Sequence, residues 1–440
     1  MDIHAPVQTS DNQMTIRSIE KLLGLEDYYR CMVWGAQSSL SWSPIRKIIE
    51  TPTQDTLHLT IRGNVLTLPV DVPLLCAAKC GELDCLPTTP VDAALEKMLL
   101  PYVRYTPESS EVVDQIDSNL GGHSSAQAVM PGRIELNSDF GYALGASCRR
   151  HSLECVEGKL AISVVRSRLG GADFRMLASC FRSIMLPSVE LDACAQRHEI
   201  RIPGSTFYDH LRTWVGEHNN SFCPHFLLSA PASFRLGFLA GLMDSRSTIP
   251  SSNFNIEIRS ARLITAFTLR WLASSLGIDS SIKEQGRIYR VRFCSCQISQ
   301  FAEHLLDETR SREIGCCDRK TPTDSLDIVP VPRALARNIY SSVSYKENGL
   351  KTTLHNAIRS GRLSRRVAMD VIGKFGDLIH SDPGGDQWIK VVQDLDIGWT
   401  WIKRYCDGSP RSIYVPVLDT TEGTWIEGNG LILAQLREQQ

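Results

Sequence analysis

Two segments rich in small residues recur about 95 residues apart, and they constrain this chain more than any other feature. FGYALGASC (140–148) and FRLGFLAGLMDS (234–245) each read as a helix, with Gly145 answered by Gly241. Gly145 with Ala146, and Ala240 with Gly241, would let two such helices pack backbone to backbone along a pseudo-twofold axis. The sequence after each helix is also alike. KLAISVV (159–165) reads as a strand after the first. After the second come a strand in NFNIEIRS (253–260), the amphipathic helix ARLITAFTLRWLASSLGI with Ser260 as its N-cap, and a strand in IYRVRF (288–293). A helix rich in Leu and Glu closes the series, so an internal duplication is expected.

The ends of the chain read differently. Residues 1–75 and the tail from 411 suggest short strands, with LHLTIRGNVLTLPV (57–70) a hairpin around Gly63-Asn64. Residues 106–132 are polar and Gly/Ser-bearing, and read as a linker. At roughly 100–200 residues per domain, 440 residues suggest two to four domains. With 42% hydrophobic and 22% charged residues, a disordered or fibrous chain is excluded.

No apolar stretch approaches the roughly 18–20 residues of a membrane span, and MDIHAPVQTSDNQ has no secretory h-region. Fourteen scattered cysteines then read as reduced thiols of an intracellular protein, nuclear if its source is eukaryotic. Cys76, Cys80 and Cys85 lack a nearby fourth ligand, and Cys294, Cys296, Cys316 and Cys317 are not at zinc-finger spacing. No metal site is expected from them. His198 and His225 have no companion pattern.

The net charge of −2, from 47 basic and 49 acidic residues, argues at face value against a nucleic-acid binder. It hides a local field. Between 333 and 374, Arg333, Arg337, Lys346, Lys351, Arg359, Arg362, Arg365, Arg366 and Lys374 face only Glu347 and Asp370. LKTTLHNAIRSGRLSRRVAMDVIGKFG reads as two helices joined at Ser360-Gly361, with Ser364 capping the second and Arg362, Arg365 and Arg366 near its start, in reach of phosphates. Strand alternation separates Arg290 and Arg292 from Tyr289, Val291 and Phe293, and Arg197 and Arg201 from Ile200 and Ile202. Lys283 and Arg287 lie near the same strand. These basic residues are the DNA-binding candidates.

FLAGLMDSRS (238–247) resembles the LAGLIDADG signature of homing endonucleases, and the strand, helix and strand after it follow that family's order. GYALGASCRRHS looks like a degenerate first copy, as in single-chain members with two pseudo-repeats. SWSPIRKIIETPTQDTLHLTIRGNVLTL resembles the N-terminal half of an intein (Hint) domain, and WTWIKRYCDGSPRSIYVPVLDTTEGTWIEGNGLILAQ its C-terminal half. The whole is similar in architecture to large inteins and to the yeast mating-type-switching endonuclease, without a zinc-finger region. The resemblance implies an α+β chain: an all-β Hint domain split in sequence by a two-repeat αββαββα LAGLIDADG endonuclease-like domain, plus a small basic helical module. The implied parts are Hint 1–105, linker 106–132, endonuclease-like 133–325 (repeats 133–230 and 231–325), a basic helical DNA-contact module 326–395, and Hint 396–440.

The same resemblance exposes losses. Splicing needs a nucleophile at the first position, a helper His, and a C-terminal His-Asn pair. Met1 offers a thioether, Val72 stands about where the imidazole belongs, Ala434 replaces the penultimate His, and Gln435 replaces Asn. Cleavage in the family resembles two-metal hydrolysis, with one acid at the end of each signature helix. Those positions fall on Arg150 and Arg246, which have no lone pair for a metal and are expected to hold a DNA phosphate instead, so both join the DNA-binding candidates. Asp139 and Asp244 are the nearest remaining acids.

The expected function is therefore double-stranded-DNA binding by a monomer with an internal pseudo-twofold, unable to splice and impaired in cleavage. No cofactor is expected, and Mg²⁺ only if endonuclease activity survives. A working metal-dependent endonuclease with displaced acids is one alternative, and a structural or interaction protein on the same fold is another; a protein partner is not identified.

Overall fold

The computed structural model describes residues 6–7, 14–15, 30–34, 40–50, 54–62, 64–77, 83, 85–104, 114–117, 131–147, 151–156, 159–165, 171–187, 190–194, 199–203, 227, 230–246, 256–293, 297, 299–315, 327–344, 347–411, 414–418, 424–426 and 432–434. The chain divides into two compact units. One is Pro107–Thr321, here the insert unit; the other joins Met1–Thr106 to Pro322–Gln440, here the frame unit. Both are mixed α+β, built on small antiparallel sheets.

The insert unit is two similar halves. The first has the helix Ser138–Ser147, the hairpin His151–Val156 with Lys159–Val165, the helix Gly171–Ser183, and strands Asp192–Cys194 and Glu199–Pro203. Its sheet runs in the order 151–156, 159–165, 199–203, 192–194. The second half has the helix Ala232–Arg246, the strand Ile256–Ser260, the helix Leu263–Ser274, and the hairpin Ser280–Gln285 with Ile288–Phe293. Its sheet order, 256–260, 288–293, 280–285, repeats the last three strands of the first.

The two small-residue helices form the seam between the halves. A methyl group on Gly141 would overlap the Phe234 carbonyl oxygen, and one on Gly145 that of Phe238. Reciprocally, Gly237 abuts the Ser138 carbonyl and Gly241 that of Tyr142. Gly141 and Gly237 are 96 residues apart, as are Gly145 and Gly241, so the seam is an internal twofold. The contacts climb both helices together, which makes the pair parallel. Glycine is required here because backbone meets backbone. Asn137 starts the first helix, its Oδ1 accepting from Phe140 N at 3.0 Å. Phe140 and Phe234 meet edge to face across the seam at 5.4 Å.

The second sheet lays one face on a helix. Ile256, Ile258, Ile282, Val291 and Phe293 are buried against Leu263–Ser274, whose Phe267, Leu269, Trp271 and Leu272 are buried in turn. Ser260 does not cap that helix. It ends the strand, and its Oγ accepts from Arg262 N at 3.1 Å, bracing the turn before the helix begins at Leu263. The polar stretch read as a linker contains the strand Gln115–Asp117, paired with Arg133–Glu135. The Leu/Glu-rich segment divides into a 3-10 turn, Ser299–His304, and a helix, Glu308–Gly315.

In the frame unit the two ends of the chain share sheets. The strand Gln54–Ile61 lies between Asn64–Pro69 and Ile402–Arg411. Leu100–Val103 pairs with Ile397–Thr400, Leu74–Ala77 with Ile432–Ala434, and Leu40–Glu50 with Tyr414–Leu418. The hairpin expected at 57–70 is present, turning at Arg62 with φ 51. Four helices follow the return from the insert: Arg333–Ser342, Asn348–Ser360, Arg365–His380 and Gly385–Gln393. Gly361, at φ 68, ends the second in the left-handed region. Ser364 caps the third by accepting from Val367 N, as its position suggested.

Candidate nucleic-acid interface

The second sheet of the insert unit has a charged outer face. Arg290 stands directly opposite Arg259 on one neighbouring strand and Lys283 on the other. Three cations therefore form one cross-strand row. Directly opposed like charges destabilise a sheet by up to about 1 kcal/mol a pair. Arg259 and Lys283 are exposed, and neither makes an ion pair among the described residues. The next row is Glu257, Arg292 and Ser281. Glu257 Oε1 accepts from Arg292 Nε at 2.6 Å, and Oε2 accepts from Arg290 Nη1 at 3.4 Å. Arg287 is exposed beside Gly286, whose φ of +62 makes the hairpin turn.

Arg259 was missed by the sequence reading, although IEIRS alternates as clearly as IYRVRF. In the first sheet Arg201 holds the place of Arg292, since Ile200 and Ile202 are buried as Val291 and Phe293 are. It stands opposite Ser163 and Asp192. The row equivalent to the cationic one reads Val165, Glu199 and Cys194. Arg197 lies outside the described residues.

In the frame unit the three arginines near 365 separate. Arg366 is exposed in the first turn of its helix. Arg362 is half-buried, with its guanidinium 4.0 Å above the Trp401 ring; Lys403 lies 5.9 Å from the same ring. Burial lowers the Arg362 pKa from its ordinary value. Arg365 does not face solvent, and its expected phosphate contact is corrected. Its side chain is 5% exposed and bonds inward, Nε to Asp327 Oδ1 at 3.0 Å and Nη1 to the carbonyls of Val392 and Asp394 at 2.6 Å. Nη2 donates to Ile397 O at 2.6 Å. The guanidinium thus closes the C-terminal end of the helix Gly385–Gln393, where carbonyls lack helical partners. Lys346 lies outside the described residues.

Among the described residues, Asp244 and Asp139 lie at different ends of the seam helices. Asp244, in the last turn of its helix, is buried, accepting from the Tyr142 hydroxyl across the seam and from Leu306 N at 3.0 Å. Asp139 is exposed in the first turn of the other helix. In a parallel pair those are opposite ends, roughly 13 Å apart along the axis at 1.5 Å per residue. At that separation the two carboxylates do not converge on one ion. Arg246 ends its helix, and nothing of its side chain is described; Arg150 lies outside the described residues. No group of three or more His, Cys, Asp or Glu able to hold a metal occurs among the described residues.

Of the positions compared with splicing residues, Val72 is buried in the frame unit. Ala434 ends a strand; Met1 and Gln435 lie outside the described residues. Burial pushes the Cys76 and Cys180 thiols up to about 12, so both stay protonated at neutral pH. No helix among the described residues is long and apolar enough to cross a membrane.

No protein-family description matches the chain, and no curated protein matches it. Among solved structures, the homing endonuclease I-DmoI in complex with DNA and Mn is similar over 39% of this chain and 98% of its own, at 11% identity and a TM-score of 0.29. Full-length DUF199/WhiA from Thermatoga maritima is similar over 63% of this chain and 94% of its own, at 16% identity and a TM-score of 0.28. The N-terminal LAGLIDADG domain of DUF199/WhiA aligns over 39% and 83%, at 16% identity and 0.26.

Proposed function

We propose that this chain is a double-stranded-DNA-binding protein on a duplicated scaffold of homing-endonuclease type, carried in a split intein-like frame, without splicing or cleavage. The cross-strand row of Arg259, Arg290 and Lys283 carries the reading. The row costs the sheet stability, and a polyanion laid across it relieves that cost. Phosphates meet the requirement, since they draw Lys and Arg with little regard to sequence. Arg201 extends the same chemistry to the first half. Arg362 and Arg366 supply a second basic surface on the helical module.

The divalent metal implied by the scaffold does not fit the residues present. Asp244 Oδ2 is taken by Tyr142 and Leu306, and two residues on, the motif has Arg246 where the family has an acid. The intein-like frame is supported by the pairing of both chain ends into common sheets. Val72, Ala434 and Gln435 offer none of the groups that splicing needs.

Duplex retention measured against salt tests the reading. Binding should weaken steeply as salt rises, with a log–log slope of about −0.9 per phosphate contacted. Replacing both Arg259 and Lys283 by Ala should flatten that slope by about 2. Binding that is absent, or indifferent to salt, would favour a protein-docking role on the same fold. Supercoiled DNA should survive incubation with Mg²⁺ or Mn²⁺, and metal-dependent double-strand breaks would overturn the loss of cleavage. The pair Arg150→Asp with Arg246→Asp returns carboxylates to both motif positions. Metal-dependent nicking gained by that pair is expected; its absence would show that these are not ancestral metal positions.

A further inference from the structure

We infer that Glu257 is a positioning residue that fixes Arg292, together with Arg290, as the sequence-reading arginines of the second half, while Arg259 and Lys283 serve only phosphates. The inference rests on the DNA-binding reading above. Its basis is a carboxylate in an unexpected place. Glu257 lies on the outer face of the sheet, with Arg259, Arg290 and Arg292, yet it is only 1% exposed. The two arginines cover it, themselves 24% and 28% exposed.

Each carboxylate oxygen takes one arginine. Oε1 is 2.6 Å from Arg292 Nε, and Oε2 is 3.4 Å from Arg290 Nη1. The arginines sit two apart on one strand and face the same way, so their charges repel unless an anion lies between them. Glu257 is that anion, directly opposite Arg292 and diagonal to Arg290.

The atoms used decide what is left. Arg292 gives its Nε–H, and its Nη1 and Nη2 groups form no hydrogen bond among the described residues. That pair of donors is the edge of the guanidinium that matches O6 and N7 of guanine. A long side chain normally loses rotamer freedom when it binds; one already tethered loses less. Arg259 and Lys283 have no carboxylate opposite them and remain mobile charges, which suits contacts that need only sign and distance.

Glu257→Gln separates affinity from discrimination. It removes a negative charge from a surface that meets DNA, so retention of random-sequence duplex should hold or rise. Selection from a randomised duplex library should enrich a sequence with the parent protein. The variant's preference for that sequence over random duplex should fall about tenfold or more. Arg292→Lys, which keeps the charge but not the fork, should lose the same base positions and guards against a folding defect in the first variant. An unchanged preference in Glu257→Gln would overturn the inference, as would an equal loss of selected and random binding. A parent that binds duplex but enriches no sequence would overturn it too. A parent that binds no duplex would instead overturn the DNA reading beneath it.

Discussion

A single methyl group at Gly241 is expected to cost the insert unit about 3 kcal/mol, the upper end of ordinary overpacking penalties. The Cβ of Gly241→Ala would overlap the Tyr142 carbonyl oxygen and lie 2.8 Å from Ala146 N. Both are backbone atoms, so no rotamer change relieves the clash. The helices must separate, and separation also opens the contacts at Gly141, Gly145 and Gly237. Thermal melting should show the insert transition lowered and the frame transition unmoved. Gly373→Ala, in the helix Arg365–His380, is the matching control. Nothing lies within 4 Å of its Cβ, so the change should stabilise the frame by up to about 1 kcal/mol through helix propensity. Equal effects of the two substitutions would show that the seam is not backbone-tight.

Asp327→Ala is expected to destabilise the frame unit by about 3–5 kcal/mol, the cost of removing the carboxylate from a buried ion pair. Asp327 Oδ1 accepts from Arg104 Nη1 at 2.9 Å and from Arg365 Nε at 3.0 Å. Arg104 is 2% exposed, so the pair lies largely out of water. The triad ties the strand Leu100–Val103, the entry to Ile328–Pro330, and the start of the helix Arg365–His380. Denaturant unfolding should show a lower midpoint, with faster amide exchange at 328–330 and 397–400. A loss below about 1 kcal/mol would place these groups among surface ion pairs, which contribute little.

The seam was legible in the sequence because its cause is local. Small residues four apart on one helix face have few other uses, and the second copy supplied the register. The strands 159–165 and 288–293 emerged with their observed bounds, since hydrophobic alternation marks a half-buried strand directly. The grip of Glu257 on Arg292 was not legible. It depends on pairing residues 35 apart, and register is set by the folded sheet. Arg365 misled for a similar reason. At a helix start, an arginine aimed at solvent and one aimed at the carbonyls of another helix have the same sequence signature. The polar strand Gln115–Asp117 is too short for alternation to reveal it.

The twofold at the seam has a consequence for what the insert can recognise. In a dimer of identical chains every substitution appears twice, and both halves of the contact surface must stay alike. Here one chain carries both halves, so the Arg259, Arg290 and Lys283 row could arise opposite a row reading Val165, Glu199 and Cys194. Only the glycines on the axis are bound to match. On the proposed DNA-binding reading, a bound sequence has no reason to be a palindrome: one half offers a strongly cationic strand row, while the equivalent row of the other includes an acid.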